Sequence, residues 1–204
     1  MNEIADNIRG NLEDILSLLS SEEKLSKEIS LNNCGDEKIL SWSKTNAFSI
    51  IPFYNELTGF KTGEMQYKEP KNKKNAYCYL SDSEVVKKIF SYNAKGNIED
   101  TSYIIRDENE ILEIRQNSRG EFIAISKTIL DNENRALTSY FANDDDNASG
   151  YYYIYDGDRI SEILTVSNHS PLPYVILSCE YDENGAINKI YFNNNKGEVV
   201  VYPR

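Results

Sequence analysis

Apolar residues in the first part of the chain recur at spacings of three and four. Over residues 2–19 they are Ile4, Ile8, Leu12, Ile15, Leu16 and Leu19. This spacing is typical of an amphipathic helix with one buried stripe. Ser20 and Glu23 then form a capping-box pattern, which predicts the start of a second, shorter helix. The segment 1–31 is therefore predicted to be helical, with the second helix ending before Asn32.

From Tyr77 onward the pattern changes to short runs of alternating apolar and polar residues, separated by turn signals. The signals contain Asn, Asp or Gly and lie at Gly96, Asn109, Gly120, Asn134, Gly150, Gly157, Gly185 and Gly197. Many neighbouring signals are about 12 to 16 residues apart, which is enough for one strand and one turn. Turns this short join adjacent antiparallel strands, so residues 77–202 are predicted to form an antiparallel β meander of hairpins.

The segment between these two regions is less regular. Residues 38–60 are rich in β-forming side chains, but Pro52 interrupts the strand pattern, which leaves an edge strand or an irregular cover as alternatives. Residues 61–75 are rich in lysine and are predicted to be a loop. The predicted fold class is α+β, with N-terminal helices packed against a many-stranded antiparallel sheet in a single domain over 1–204.

Alternation within one predicted strand suggests how the sheet is solvated. Leu112 and Ile114 fall on one face, and Ile111 falls on the other with Glu113 and Arg115. Antiparallel sheets commonly bury one face and expose the other. We therefore expect one mostly buried face and one partly aqueous face.

Two turn segments carry a recurring motif. Residues 155–160 and 181–187 each contain Tyr-Asp, a turn glycine and an aliphatic residue, and residues 91–98 are a looser copy with Asn in place of Asp. The motif resembles YD repeats, the hairpin units of Rhs-type toxin shells and wall-associated proteins. The resemblance covers at most residues 77–202, and hairpin chemistry alone also favours such residues. The chain is far too short to enclose a toxin as an Rhs shell does.

Composition and charge narrow the classes of partner. Hydrophobic residues make up 40% of the 204-residue chain, which is enough for a folded core. The formal net charge is −11, which repels nucleic acid and would attract a basic protein. No apolar run approaches the roughly 20 residues of a membrane-spanning helix. The N-terminus also lacks a signal-peptide pattern. We expect a cytoplasmic protein that binds neither nucleic acid nor membrane.

Residues that could carry catalysis or bind metal are sparse. The one histidine, His169, lies in a proline-bounded loop without a recognisable nucleophile motif. Cys34, Cys78 and Cys179 are too widely spaced for a metal clamp or a disulfide framework and are expected to be free, mostly buried thiols. The acidic run 144–147 lacks the later ligands of a calcium-binding loop. These features predict a protein that is not an enzyme and holds no metal or cofactor.

The strongest candidate binding site combines acidic and aromatic residues. Asp144, Asp145 and Asp146 form a predicted hairpin tip, and Tyr151, Tyr153 and Tyr155 alternate along the strand that follows. Tyrosines on one face either pack in the core or supply rigid contact area to a partner. The second alternative predicts a surface for a basic partner.

The function predicted from these features is that of an immunity protein, which binds and neutralises a cognate, basic bacterial toxin. The prediction depends on the acidity, the scarcity of catalytic residues and the resemblance to Rhs-associated sequences. The alternative is a non-catalytic structural or adhesion module of the YD-repeat type. A hydrolase that uses dispersed carboxylates is a third and weaker alternative.

Overall fold

The structure of the protein is a computed structural model that describes residues 1–32 and 37–203. Its helices are α1 (Asn2–Leu19), α2 (Glu22–Asn32) and the short α3 (Tyr54–Leu57). Its strands are β1 (Lys38–Ser43), β2 (Tyr77–Asp82), β3 (Val85–Tyr92), β4 (Ile98–Arg106), β5 (Glu110–Asn117), β6 (Phe122–Leu130), β7 (Ala136–Asn143), β8 (Ala148–Asp156), β9 (Arg159–Ser167), β10 (Val175–Tyr181), β11 (Ile187–Asn194) and β12 (Gly197–Tyr202). Cys34 lies outside the described residues.

The strands form one 12-stranded sheet in which each strand pairs with its neighbours in the chain. All of the pairings are antiparallel. The α+β class and the hairpin meander over residues 77–202 are therefore confirmed. The irregular segment 38–60 contains both of the alternatives predicted for it, because residues 38–43 are the edge strand β1 and residues 46–60 are a cover.

Most of the longer hairpin turns share one hydrogen-bonding device. In the β10–β11 turn, Oδ1 of Asp182 accepts hydrogen bonds from the backbone amides of Asn184 and Ala186, both at 2.9 Å. Asn93, Asn117 and Asp131 bond the equivalent amides of their own turns. The residue three positions after each of them has positive φ, which glycine adopts at Gly185 without strain. The Asn, Asp and Gly signals in the sequence are thus explained by local chemistry.

One face of the sheet is covered by α1. The buried stripe of this helix consists of Ala5, Ile8, Leu12, Ile15 and Leu19. It packs in a hydrophobic cluster with residues of β5 to β9, including Tyr140 and Leu164. The sheet backbone lies close to the helix at Gly150, where an added Cβ would collide with Cγ2 of Ile8. The missing side chain at this position allows the helix to lie on the sheet.

The second face is covered by residues 46–60. Ile50 and Ile51 from this segment are buried in a second hydrophobic cluster that extends from Tyr79 in β2 to Ile190 in β11. Small hydroxyl residues lie beneath the segment, and Oγ1 of Thr128 donates a 2.8 Å hydrogen bond to the carbonyl oxygen of Ile50. The expectation that this face is partly aqueous is therefore wrong at β5. Glu113, which shares this face, is only 7% exposed because the cover shields it.

Two local predictions at the first helices also need correction. Ser20 does not cap α2, because its hydroxyl bonds back to the carbonyl oxygen of Leu16 at 3.1 Å and the residue ends α1. The second helix begins at Glu22 and continues through Asn32 instead of ending before it.

Gly150→Ala should destabilise the protein by about 2 kcal/mol, because the new methyl group pushes α1 away from the sheet. Gly10→Ala is the matched control, since Gly10 lies in α1 itself and a Cβ there meets no atom within 4 Å. This second change should stabilise the helix by roughly 0.5 to 1 kcal/mol. Urea denaturation of both variants measures the difference, and equal effects would contradict the proposed close contact.

Candidate binding surfaces

The predicted tyrosine stripe lies in the core for most of its length. Tyr151 is 8% exposed and Tyr153 is 2% exposed, and both belong to the cluster beneath the cover segment. Neither ring can contact a partner while the protein is folded. The prediction that these two residues bind a partner is therefore wrong, because β8 is central in the sheet and its second face is covered.

The Tyr153 hydroxyl is unusual among the buried polar groups. It makes no well-formed hydrogen bond with any described residue, although the Ser139 side chain lies near it. Burial raises the pKa of Tyr153 well above its usual value, so the phenol stays neutral. Tyr79 shows the contrasting arrangement, because its hydroxyl lies 2.8 Å from Oγ of Ser43 and accepts a 2.8 Å hydrogen bond from the amide of Ala47.

Tyr155, the last member of the stripe, belongs to a structural unit that occurs twice. Its hydroxyl donates a 2.9 Å hydrogen bond to the carbonyl oxygen of Ala136, and the guanidinium of Arg135 lies 4.5 Å from its ring centre. Tyr181 repeats the unit: its hydroxyl bonds the carbonyl oxygen of Ile160 at 2.8 Å, and the guanidinium of Arg159 lies 5.4 Å from its ring. The tyrosines of both Tyr-Asp motifs therefore have equivalent roles.

The acidic tip at residues 144–146 forms the exposed turn between β7 and β8. The carbonyl oxygen of Asp146 accepts a 2.7 Å hydrogen bond from Nδ2 of Asn168 and lies 3.0 Å from Nε2 of His169. These contacts join the tip to the β9–β10 loop. Binding of a partner by Asp144, Asp145 and Asp146 stays a prediction.

A larger acidic surface arises from the topology. In a meander, every second turn lies at the same end of the sheet. The turns β2–β3, β4–β5, β6–β7, β8–β9 and β10–β11 share one end, which we call the acidic end. Its acidic residues are Asp82, Glu84, Asp107, Glu108, Glu110, Asp131, Glu133, Asp156, Asp158, Asp182 and Glu183. The basic residues at this end are Arg106, Arg135, Arg159 and Lys38, the last of which lies beside Asp82 and Glu84.

Few of the carboxylates at the acidic end are neutralised. Arg135 pairs with Asp131 at 3.0 Å and with Glu133 at 3.1 Å, and Glu110 pairs with Lys127 at 2.6 Å. The remaining acidic residues of these turns make no ion pair with any described residue. The opposite end is mixed in charge, because its turns carry Lys95, Arg119 and Lys196 beside Glu121 and the tip at 144–146. The 144–146 tip is recognisable in the sequence because it is one continuous acidic run, whereas the acidic end is assembled from separate turns.

A groove of about 840 Å³ opens between the first strands and the segment 44–66. Its lining includes the aromatic rings of Phe60, Tyr77 and Tyr92 together with hydroxyl, amide and charged groups. This segment forms one wall of the groove and is held together by internal hydrogen bonds. The carbonyl oxygen of Asn46 accepts hydrogen bonds from the amide of Gly63 and from Nδ2 of Asn55. A Cβ at Gly63 would collide with the backbone of the wall, so this close contact requires glycine.

A polar recess of about 80 Å³ adjoins the groove and shares Asn46, Tyr77, Ser91 and Asp100 with it. In the recess, Nη2 of Arg115 donates a 3.1 Å hydrogen bond to Oε1 of Glu113. Burial raises the pKa of Asp100, although Arg115 and a hydrogen bond from Ser91 partly oppose that shift. The recess therefore contains two carboxylates and one guanidinium.

The described cysteines are poor nucleophiles. Burial raises the pKa of Cys78 to about 11 and that of Cys179 to about 12, so both thiols stay protonated near neutral pH. Among residues 1–32 and 37–203, no group of three His, Cys, Asp or Glu side chains is arranged to hold a metal ion. No helix within the same residues is long and apolar enough to cross a membrane.

Comparison with known proteins does not place the chain in a family. No protein-family model matches the sequence, and no curated protein matches it significantly. A function for the chain is therefore inferred from the surfaces of the molecule itself.

Tyr153→Phe should be neutral or stabilise the protein by up to about 1 kcal/mol, because it removes a buried hydroxyl that makes no well-formed hydrogen bond. Tyr79→Phe should instead cost about 1 to 3 kcal/mol, because it leaves the buried amide of Ala47 without an acceptor. Thermal denaturation of the two variants gives the comparison. Destabilisation by Tyr153→Phe equal to that by Tyr79→Phe would show that the Tyr153 hydroxyl is hydrogen-bonded.

Proposed function

We propose that the protein is an immunity protein that binds and neutralises a basic toxin through the acidic end of its sheet. The observation that carries this proposal is the assembly of unpaired carboxylates from alternate turns at one end of the molecule. Such a surface attracts a positively charged partner and increases the rate of encounter. It also disfavours nucleic acid, whose phosphates it would repel.

The arginines at this end support the same proposal. Arg135 and Arg159 lie over the rings of Tyr155 and Tyr181, and Arg135 is also paired with two carboxylates. The charge of Arg135 is thus neutralised within its own turn, whereas Arg159 keeps its charge and only packs on a ring. The carboxylates of Asp156, Asp158 and Glu183 project from neighbouring turns without an ion pair to any described residue, which leaves them for a partner.

A structural or adhesion module of the YD-repeat type is the second candidate. It is favoured by the equivalent roles of Tyr155 and Tyr181, which make the motif a structural unit as well as a sequence pattern. The gene neighbourhood distinguishes the two functions. A toxin gene beside this one supports an immunity protein, and a long repeat-bearing reading frame supports a module.

The first test is protection. Cells that express the toxin domain encoded beside this gene should survive when the chain is co-expressed. The variant Asp156→Asn, Asp158→Asn, Glu183→Gln should reduce the association rate with that toxin by roughly three- to tenfold at low salt, since exposed charges act mainly on encounter. The dissociation rate should change much less. Stopped-flow measurement at several salt concentrations checks both rates, because screening should remove the difference.

The matched control is Asp144→Asn, Asp145→Asn, Asp146→Asn, which removes the same number of charges at the opposite end of the sheet. This variant should leave association almost unchanged if the acidic end is the contact surface. A larger effect from the control would move the binding site to the 144–146 tip. Failure of the wild-type chain to protect cells would reject the immunity function.

A further inference from the structure

We propose that the recess binds the ammonium group of a lysine side chain from an extended peptide, whose backbone lies in the adjoining groove. This site is separate from the acidic end, because Asp100, Ser91 and Arg115 lie near the turns at the opposite end of the sheet. The proposal does not depend on the function proposed above.

The charges of the recess favour a cation. Glu113 and Asp100 line it with Arg115, so a single positive charge is needed to balance the three groups. The guanidinium of Arg115 already donates a hydrogen bond to Glu113, and its Nε donates another, of 3.3 Å, to Oγ of Ser102. An anion that bound the Arg115 guanidinium would have to approach the Asp100 carboxylate, which would repel it. Along the groove, Glu64 and Glu99 are balanced by Lys44 and Lys61, so the uncompensated negative charge lies in the recess.

The carboxylates retain unused hydrogen-bonding capacity. Glu113 is more than nine-tenths buried, yet its oxygen Oε2 receives no hydrogen bond from the described residues. Asp100 receives one long hydrogen bond, 3.4 Å from Oγ of Ser91. Glu113 is buried and Asp100 is half-buried, so a ligand that supplies donors would add the hydrogen bonds that these carboxylates lack. An ammonium group has three donors, and a recess of about 80 Å³ has room for it.

The size and lining of the groove favour a peptide over a free amine. A volume of about 840 Å³ greatly exceeds the needs of one ammonium group and falls in the range of sites that enclose larger ligands. Amide and hydroxyl groups such as Thr62, Gln66 and Asn75 along its walls can bond a peptide backbone. The rings of Tyr77 and Phe60 can pack against the aliphatic part of a lysine side chain.

Calorimetric titration with a blocked pentapeptide, Gly-Ser-Lys-Ser-Gly, tests the proposal. The same peptide with norleucine in place of lysine is the matched ligand, because it keeps the aliphatic chain and removes the charge. The wild-type protein should bind the lysine peptide about tenfold or more tightly than the norleucine peptide. Equal affinities would overturn the proposal, and 1,5-diaminopentane bound as tightly as the lysine peptide would overturn the assignment to a peptide.

Two variants should change the affinity for the lysine peptide in opposite directions. Asp100→Asn should reduce it about tenfold, and Asn46→Asp should raise it several-fold, because both side chains line the recess. Asn46 tolerates the change, since its Oδ1 accepts a hydrogen bond from Phe48 and its Nδ2 makes none with the described residues. Asp107→Asn at the acidic end is the control and should leave the affinity unchanged.

Thermal denaturation separates binding from folding. Because burial raises the pKa of Asp100, its ionised form disfavours the folded state, and Asp100→Asn should melt at the same or a higher temperature. Weaker binding without loss of stability therefore supports a binding role. If Asp100→Asn does not fold, Asn46→Asp still decides the question, since unchanged affinity in that variant would contradict the proposal.

Discussion

A sheet with apolar side chains on both faces must be covered on both, and this requirement determines most of the structure. Helix α1 covers one face, and the opposite face has no second helix of comparable length among the described residues. The irregular segment 46–60 takes that place. It fits closely because the sheet presents small hydroxyl residues beneath it, including Ser126, Thr128 and Ser139, which are all buried. The same segment continues into the wall of the groove, so the core and the proposed peptide site share one structural element.

The second organising constraint is the meander itself. Because each strand reverses direction, two sets of turns are separated at opposite ends of the sheet, and each set can have its own charge. Residues far apart in sequence, such as Asp82 and Glu183, thereby contribute to one surface. The arrangement needs no special motif, since each turn only has to satisfy its own hairpin chemistry and can vary its exposed positions freely.

Local patterns allowed the fold to be predicted well, whereas long-range packing did not follow from them. The helix over residues 2–19 and the order of the hairpins depend on neighbours in the chain, and both were predicted. The burial of Tyr151, Tyr153 and Glu113 depends on the segment 46–60, which lies far earlier in the chain. Its apolar residues do not recur at the spacing of a helix or a strand. Alternation alone could not show that this segment covers the second face. The recess was also missed, because Asp100, Glu113 and Arg115 look like ordinary solvent-facing residues of two strands.

The position of α1 has a consequence for how the chain acquires its structure. Most contacts in the sheet join neighbouring strands, so the contact order of the meander is low and its hairpins can form one after another. Helix α1 is different, because it precedes all of the described strands yet packs on β6 to β9. During synthesis its apolar stripe emerges from the ribosome well before the strands that bury it. The nascent chain must therefore carry an exposed amphipathic helix until those strands have been made, which makes this helix the natural place for a chaperone to act.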